Sequence, residues 1–301
     1  MKFVTFIRAD GMERAGWLEG NTVVDMELAS EGALPADLLT YIEKQEYYEQ
    51  IRHGLRVPSE ARFLIEEVTL VAPLPRPPSI RDFYAFEEHV KNARARRGLN
   101  VVREWYEVPV FYFSNHRAVV GPEAYVNKPA NTEKLDYELE IACVIGKKGR
   151  NISKEKAEDY IFGYCIMNDW SARDIQRQEV AVGLGPAKAK DFATSFGPYL
   201  VTKNELEPYR LGDVFDLQMT AKVNGIVLTE GNMQTIHYSF AKMIARASQD
   251  VTLYPGDVIG SGTVGNGCLL ELGEEVHRWL LPGDVVELEI TGLGVLKNMI
   301  K

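Results

Sequence analysis

Residues 135–146, LDYELEIACVIG, set Leu139, Ile141 and Cys143 at alternate positions, together with Tyr137. Side chains of a β-strand alternate between faces, so this pattern predicts a strand whose other face carries Asp136, Glu138, Glu140 and Ala142. Glu138 and Glu140 then stand ~6.6 Å apart along the strand, close enough for one cation to draw both inward. An acidic strand face turned to solvent is the plainer reading of this stretch alone.

Two further segments bear on that choice. IFGYCIMND (161–169) runs apolar and small residues straight into Asn168 and Asp169, and a charge ending a buried strand needs a partner. Asp169 could instead cap the helix suggested by SARDIQRQE (171–179). In SIRDFYAFEEHV (79–90), Asp82 follows a proline-rich joint and could likewise cap the helix that carries His89. No histidine or cysteine cluster has zinc spacing, so a site of these acids would be all oxygen and would favour a hard ion, Mg2+, Ca2+ or Mn2+. Four converging carboxylates repel one another, and a bound cation is what keeps them together and ionised.

Working outward, strand-like runs recur at VPVFYF, FGPYLVT, VFDLQMTAKVNG, DVIGSGTVG and DVVELEITG, with Pro-Gly-Asp turns at 255–257 and 282–284 launching strands. Helical patterns intervene at about 83–97, 153–161 and 237–248. The stretch Ala72-Pro-Leu-Pro-Arg-Pro-Pro78 packs four prolines into seven residues and is the best boundary candidate. Before it, KFVTFI, AGWLEG and NTVVDM read as short hairpins. A single helix follows, with Leu38, Leu39, Ile42, Ile51 and Leu55 as its stripe and Gly54 and Pro58 as its stop. The expectation is a mainly β protein with a few helices, divided into a small β-rich unit at 1–71 and a larger one at 72–301.

The 301 residues, 46% of them hydrophobic, suffice for a sizeable core. Forty-three acidic against 34 basic residues give a net charge of -9, which works against a nonspecific grip on nucleic acid or anionic lipid and favours a small-molecule partner. No stretch approaches the ~20 apolar residues of a membrane span, and the first residues lack the pattern of a signal peptide. Cys143, Cys165 and Cys268 are odd in number and lie in apolar runs, which suits buried thiols in a reducing, cytoplasmic setting.

The segments DFYAFEEHV, DYELEIACVIG, MNDWSARDIQ, KAKDFATSFGP, GSGTVG and LLEL, in this order over roughly residues 78–298, resemble the fumarylacetoacetate hydrolase family. The resemblance implies a C-terminal mixed β-roll behind a small β-rich N-terminal domain, and a homodimer. It implies metal ligation by Asp82, Glu138, Glu140 and Asp169, with Lys190 and Thr194 beside the cation. It makes His89 the general base, oriented by Glu271, and places Tyr84, Tyr112, Arg173, Gln176 and Thr263 on a small oxo-acid substrate. Without it, His89 would read as a solvent-facing helix residue, Glu271 as an exposed strand acid and Arg173 with Gln176 as one face of a surface helix. The implied activity is hydrolysis of a carbon–carbon bond in a β-diketo acid such as fumarylacetoacetate or an acylpyruvate. A decarboxylase or isomerase of oxo or hydroxy-dienoate acids is the alternative within the family, and a β-domain with a structural cation is the alternative outside it. Three departures bear on the substrate: the stretch between Gln176 and Lys190 is one residue longer than the family pattern, Val180 replaces a substrate-contacting tyrosine, and the N-terminal domain is shorter.

Overall fold

The computed structural model describes residues 1–301 and is mostly β, 34% strand and 26% helix, in mixed sheets. In chain order, the strands Lys2–Ile7 (β1), Glu13–Glu19 (β2) and Thr22–Asp25 (β3) are followed by the helices Leu38–Glu43 (α1) and Gln45–His53 (α2). Ile80–Phe83 (β4), Glu87–Ala95 (α3), Phe111–Ser114 (β5), Leu139–Ile145 (β6) and Ile161–Asp169 (β7) come next, then Arg173–Val182 (α4) and Thr194–Thr202 (β8). Gln218–Val223 (β9), Ile226–Asn232 (β10), Phe240–Ala247 (α5), Val258–Gly260 (β11), the turn Leu269–Leu272 (α6), Val285–Ile290 (β12) and Gly294–Ile300 (β13) complete the main elements.

A twelve-stranded sheet runs in the order β3-β2-β1-β8-β7-β6-β11-β4-β5, with Arg62–Leu64 beside β3, Thr69–Val71 beside β1 and Val119–Val120 beside β8, and a five-stranded sheet in the order β10-β9-β12-β13 with Tyr125–Val126 at its edge. All neighbours along the first path are antiparallel except β11 with β4. A core of 44 buried residues takes Leu139, Ile141 and Cys143 from one face of β6 and Met219, Ala221, Leu288 and Leu296 from the five-stranded sheet. A second core of 22 takes Ala142 and Val144 from the opposite face and joins them to Phe3, Trp17, Tyr41 and Ile42. Strand β6 is therefore covered on both sides, which is why its acids are interior and the solvent-facing alternative does not hold.

The proline-rich segment 72–78 lies between the strand Thr69–Val71 and β4, yet the large sheet continues across the junction because β1 pairs with β8. Three sequence expectations change in detail. The single helix after β3 is two, broken at Lys44, whose φ of -125° and ψ of 33° leave the helical region. The pattern at 153–161 yields only a short 3-10 turn at Ala157–Tyr160. The helix expected from 83 starts at Glu87, because residues 80–83 are spent on β4 in the buried sheet.

Candidate active site

The register of the large sheet assembles the acids. Leu139 pairs with Asn168 and Asp169 with Thr194, so the start of β6, the end of β7 and the start of β8 meet. On the other side Ala142 pairs with Gly260, Gly260 with Asp82, and Asp82 with Tyr112. The strand lying between Glu140 and Asp82 thus presents a glycine. A Cβ at Gly260 would sit 2.5 Å from Asp82 Oδ1 and 2.9 Å from Met167 Sδ, so the bare position lets the Asp82 carboxylate lean toward its neighbours.

Carboxylate oxygens of Asp82, Glu138 and Glu140 lie within 4.8 Å of one another, and all three residues are buried. Asp169 joins through shared partners. Lys190 Nζ lies 2.5 Å from Glu138 Oε2 and 2.9 Å from Asp169 Oδ2, and the Tyr112 hydroxyl reaches Asp82 Oδ2 at 2.7 Å and also contacts Asp169 Oδ2. Neither Asp169 nor Asp82 caps a helix: the N-caps of α4 and α3 are Ala172 and Phe86, with no side-chain cap bond. Arg173 fixes the rest, with Nε 2.7 Å from Asp136 Oδ2, Nη2 2.8 Å from Glu138 Oε1, and Nη1 donating to Gln176 Oε1 at 2.9 Å. The Gln176 amide nitrogen remains available to donate.

Five interior carboxylates, counting Asp136, thus face two cations. Burial and then Asp169 push Asp82 up to about 7. Burial and then Asp82 raise Glu140 well above the usual carboxylate range. Glu138 goes the other way: burial opposes its charge, but Lys190 and Arg173 hold it below the ordinary value. Glu140 Oε2, Asp169 Oδ1 and Thr194 Oγ1 are interior oxygens with no hydrogen-bond partner. Orphaned oxygens beside an excess of negative charge, with no sulfur or nitrogen in the set, fit a hard divalent cation. Thr263 completes this part, its hydroxyl 3.4 Å from Glu140 Oε1.

The second part is a buried pair. His89 Nδ1 lies 2.5 Å from Glu271 Oε1. Glu271 is carried by the one-turn helix α6, not by a strand, and the turn directs it inward. Its other oxygen accepts from the Asn266 backbone N–H at 2.9 Å and from Asn92 Nδ2 at 3.1 Å, while Cys268 Sγ donates to Oε1 at 3.4 Å. Burial acts to raise its affinity for a proton, but His89 and these donors outweigh it and keep Glu271 ionised. Nδ1 thus points at the carboxylate, which leaves Nε2 as the ring's free nitrogen. The Tyr84 ring stands edge-on to the imidazole with centroids 5.2 Å apart, and burial pushes its hydroxyl up to about 12.

The contacts above bring the expected site residues together, with Thr194 placed by its pairing with Asp169. Asp136 had been placed on the acidic face without a role. It accepts the N–H groups of Leu269 and Leu270 at 2.8 and 3.0 Å while holding Arg173, and so ties the turn bearing Glu271 to the acid cluster. Its alternation with Glu138 and Glu140 was the available signal. Asn92, three residues after His89 on the same helix, carried a weaker one, and Cys268 and Asn266 carried none. Val180 stands half exposed on α4.

A family model for the fumarylacetoacetate hydrolase C-terminal domain matches residues 79–301, which contain all of these residues. The chain belongs to the fumarylacetoacetate hydrolase family. Within it, a mitochondrial oxaloacetate tautomerase of Xenopus laevis is 29% identical over 306 residues, covering 99% of this chain and 89% of that protein. The oxaloacetate tautomerase YisK of Bacillus subtilis is 32% identical over 240 residues, covering 79% and 75%. Among solved structures, the fumarylacetoacetate hydrolase of Exiguobacterium antarcticum superposes with a TM-score of 0.78 at 28% identity, covering 100% of this chain and 99% of that one. The family is enzymatic and includes tautomerases and isomerases as well as hydrolases. No helix of the chain is long and apolar enough to cross a membrane.

Proposed function

We propose that this chain is a divalent-metal-dependent hydrolase that cleaves a carbon–carbon bond in a β-diketo acid such as fumarylacetoacetate or an acylpyruvate. The observation that carries the proposal is the buried His89–Glu271 pair beside the acid cluster. A cation held by Asp82, Glu138, Glu140 and Asp169, with Thr194 at hand, would supply polarisation of the substrate's carbonyl oxygens. Mg2+ or Ca2+ suits the oxygen set, with Mn2+ as a working substitute.

In this reading the free Nε2 of His89 accepts a proton from the attacking water, and Glu271 supports the resulting imidazolium. Lys190 and Arg173 counter negative charge on the substrate, and the free Gln176 amide donates to its oxygens. Tyr84 packs against the His89 ring and Thr263 contacts Glu140, one at each part, and Tyr112 orders Asp82 and Asp169. The oxo acid is the partner, with no role for nucleic acid or a membrane.

A second reading has specific support: the relatives that align over most of this chain's length include oxaloacetate tautomerases. Keto–enol exchange of an oxo diacid would use the same acids and the same histidine, now moving a substrate proton without a nucleophilic water. Assaying acylpyruvates, fumarylacetoacetate and oxaloacetate side by side with Mg2+ or Mn2+ separates the two. Carbon–carbon cleavage with release of two acids supports the hydrolase. Enol–keto equilibration of oxaloacetate with intact acylpyruvate supports the tautomerase. The three buried thiols suit a cytoplasmic setting, and the half-exposed edge strand β5, with Phe113 outward, suits a homodimer.

A further inference from the structure

The acids above contain no sulfur or nitrogen, but a second cluster, tied to them through Asp136 and Arg173, does. A ring nitrogen of His89, Cys268 Sγ and a Glu271 carboxylate oxygen lie within 4.8 Å of one another, and all three residues are buried. We propose that this trio is a second, softer metal site that takes Zn2+ and that occupancy switches off the His89–Glu271 pair.

The spacing and the donor chemistry both favour it. Donor atoms around a tetrahedral zinc with bonds of 2.0–2.3 Å stand about 3.3–3.7 Å apart. Cys268 Sγ and Glu271 Oε1 are already 3.4 Å apart. His89 Nδ1 and Glu271 Oε1, at 2.5 Å, would open by ~0.8 Å, a small rotation of the imidazole. A thiolate, an imidazole and a carboxylate select zinc over magnesium or calcium, whereas the all-oxygen cluster has the reverse preference. Charge also closes: one thiolate and one carboxylate neutralise Zn2+, so the occupied pocket carries no net charge into the interior. Glu271 stays oriented, because Asn92 and the Asn266 N–H hold its other oxygen.

Binding is a proton exchange. The Cys268 thiol gives its proton to solvent as the zinc–sulfur bond forms. The imidazole exchanges its proton from Nδ1 to Nε2 through water, so the Nδ1 lone pair faces the metal. No redox partner is involved. Zinc then occupies the nitrogen that Glu271 supports, and Nε2 carries a hydrogen and can no longer accept a proton. This inhibitory consequence rests on the role proposed for His89; the site itself does not.

The test uses full-length protein with its carboxylate cluster saturated by Mg2+, and compares parent with Cys268→Ser, whose hydroxyl preserves the donor to Glu271. Titration with Co2+ is read by the near-ultraviolet thiolate-to-cobalt band. The parent should develop the band to one equivalent and Cys268→Ser should not. A parent without the band overturns the site, as does a band that survives Cys268→Ser. In parallel, Zn2+ should inhibit turnover of whichever oxo acid is a substrate, with at least tenfold lower sensitivity in Cys268→Ser, each protein being read against its own zinc-free rate. A parent band without inhibition leaves the site standing and refutes the His89 role. Equal inhibition of both proteins without a band places zinc elsewhere and refutes the site. Should Cys268→Ser not fold, Cys143→Ser and Cys165→Ser decide: the band must persist in both, and its loss in either overturns the site.

Discussion

Gly260→Ala puts one methyl group into the strand between Glu140 and Asp82. The new Cβ would lie 2.5 Å from Asp82 Oδ1, so the carboxylate must retreat by about 0.9 Å to reach an ordinary contact of 3.4 Å. Oxygen ligands of Mg2+ and Ca2+ tolerate little of that, with bonds of ~2.0–2.6 Å, and the retreat also strains the Gly262 N–H bond to Oδ1, now 3.2 Å. Loss of one ligand's alignment costs on the order of 10- to 100-fold in metal affinity, up to ~2.7 kcal/mol. Overpacking against Met167 Sδ adds ~1–3 kcal/mol of lost stability. Isothermal titration of chelator-stripped protein with Mn2+ reads the first effect and a thermal melt the second. Gly185→Ala, where a Cβ meets nothing within 4 Å, is the neutral control. Mn2+ affinity of Gly260→Ala within twofold of the parent would refute the placement of Asp82 as a ligand positioned by that glycine.

Glu271→Gln should lower kcat by about 10²-fold or more while leaving metal affinity within a few-fold, as measured by steady-state kinetics beside the titration. Lys190→Met removes the ammonium between Glu138 and Asp169, so the metal-free protein should lose about 3–5 kcal/mol, with the divalent cation restoring part of it in a denaturant melt. Burial and Asp169 raise Asp82 to about 7 in the folded protein, so the folded chain holds a proton that the unfolded chain releases above ~4. Its contribution to metal-free stability is therefore full below ~4 and lost as pH rises toward 7. Metal must displace that proton, so Mn2+ affinity should climb from pH 5 to 8; a flat profile contradicts it. Neutral diketones should be poor substrates beside acylpyruvates, because Arg173 and Lys190 favour an anion.

The strand bearing Glu140 was legible because alternation needs only the local chain, and so was the end of β7 at Asp169, although the continuous strand expected from 135 breaks at 137–138, so that Glu138 precedes β6 and Asp136 lies on a separate strand, Leu135–Asp136. Whether those acids faced water or the interior was not, since that depends on the second core, which brings Phe3, Tyr41 and Ile42 from far earlier in sequence against Ala142 and Val144. The break at Lys44 escaped for the opposite reason: its apolar positions continue the stripe, and only the backbone there departs. Glu271 read as a strand residue because Leu270 and Leu272 flank it, but a four-residue turn has too few residues for a helical period to show. The motif resemblance put His89 beside Glu271 across 182 positions, a pairing that no local pattern carries. It did not disclose Asp136, Asn92 or Cys268, whose roles come from what they touch in the folded chain.

The most direct test of the account is His89→Ala assayed on an acylpyruvate with saturating Mg2+, its metal affinity titrated alongside. The account predicts a loss of about 10²-fold or more in turnover with metal affinity close to the parent's. Turnover near the parental rate would contradict it and place the base elsewhere.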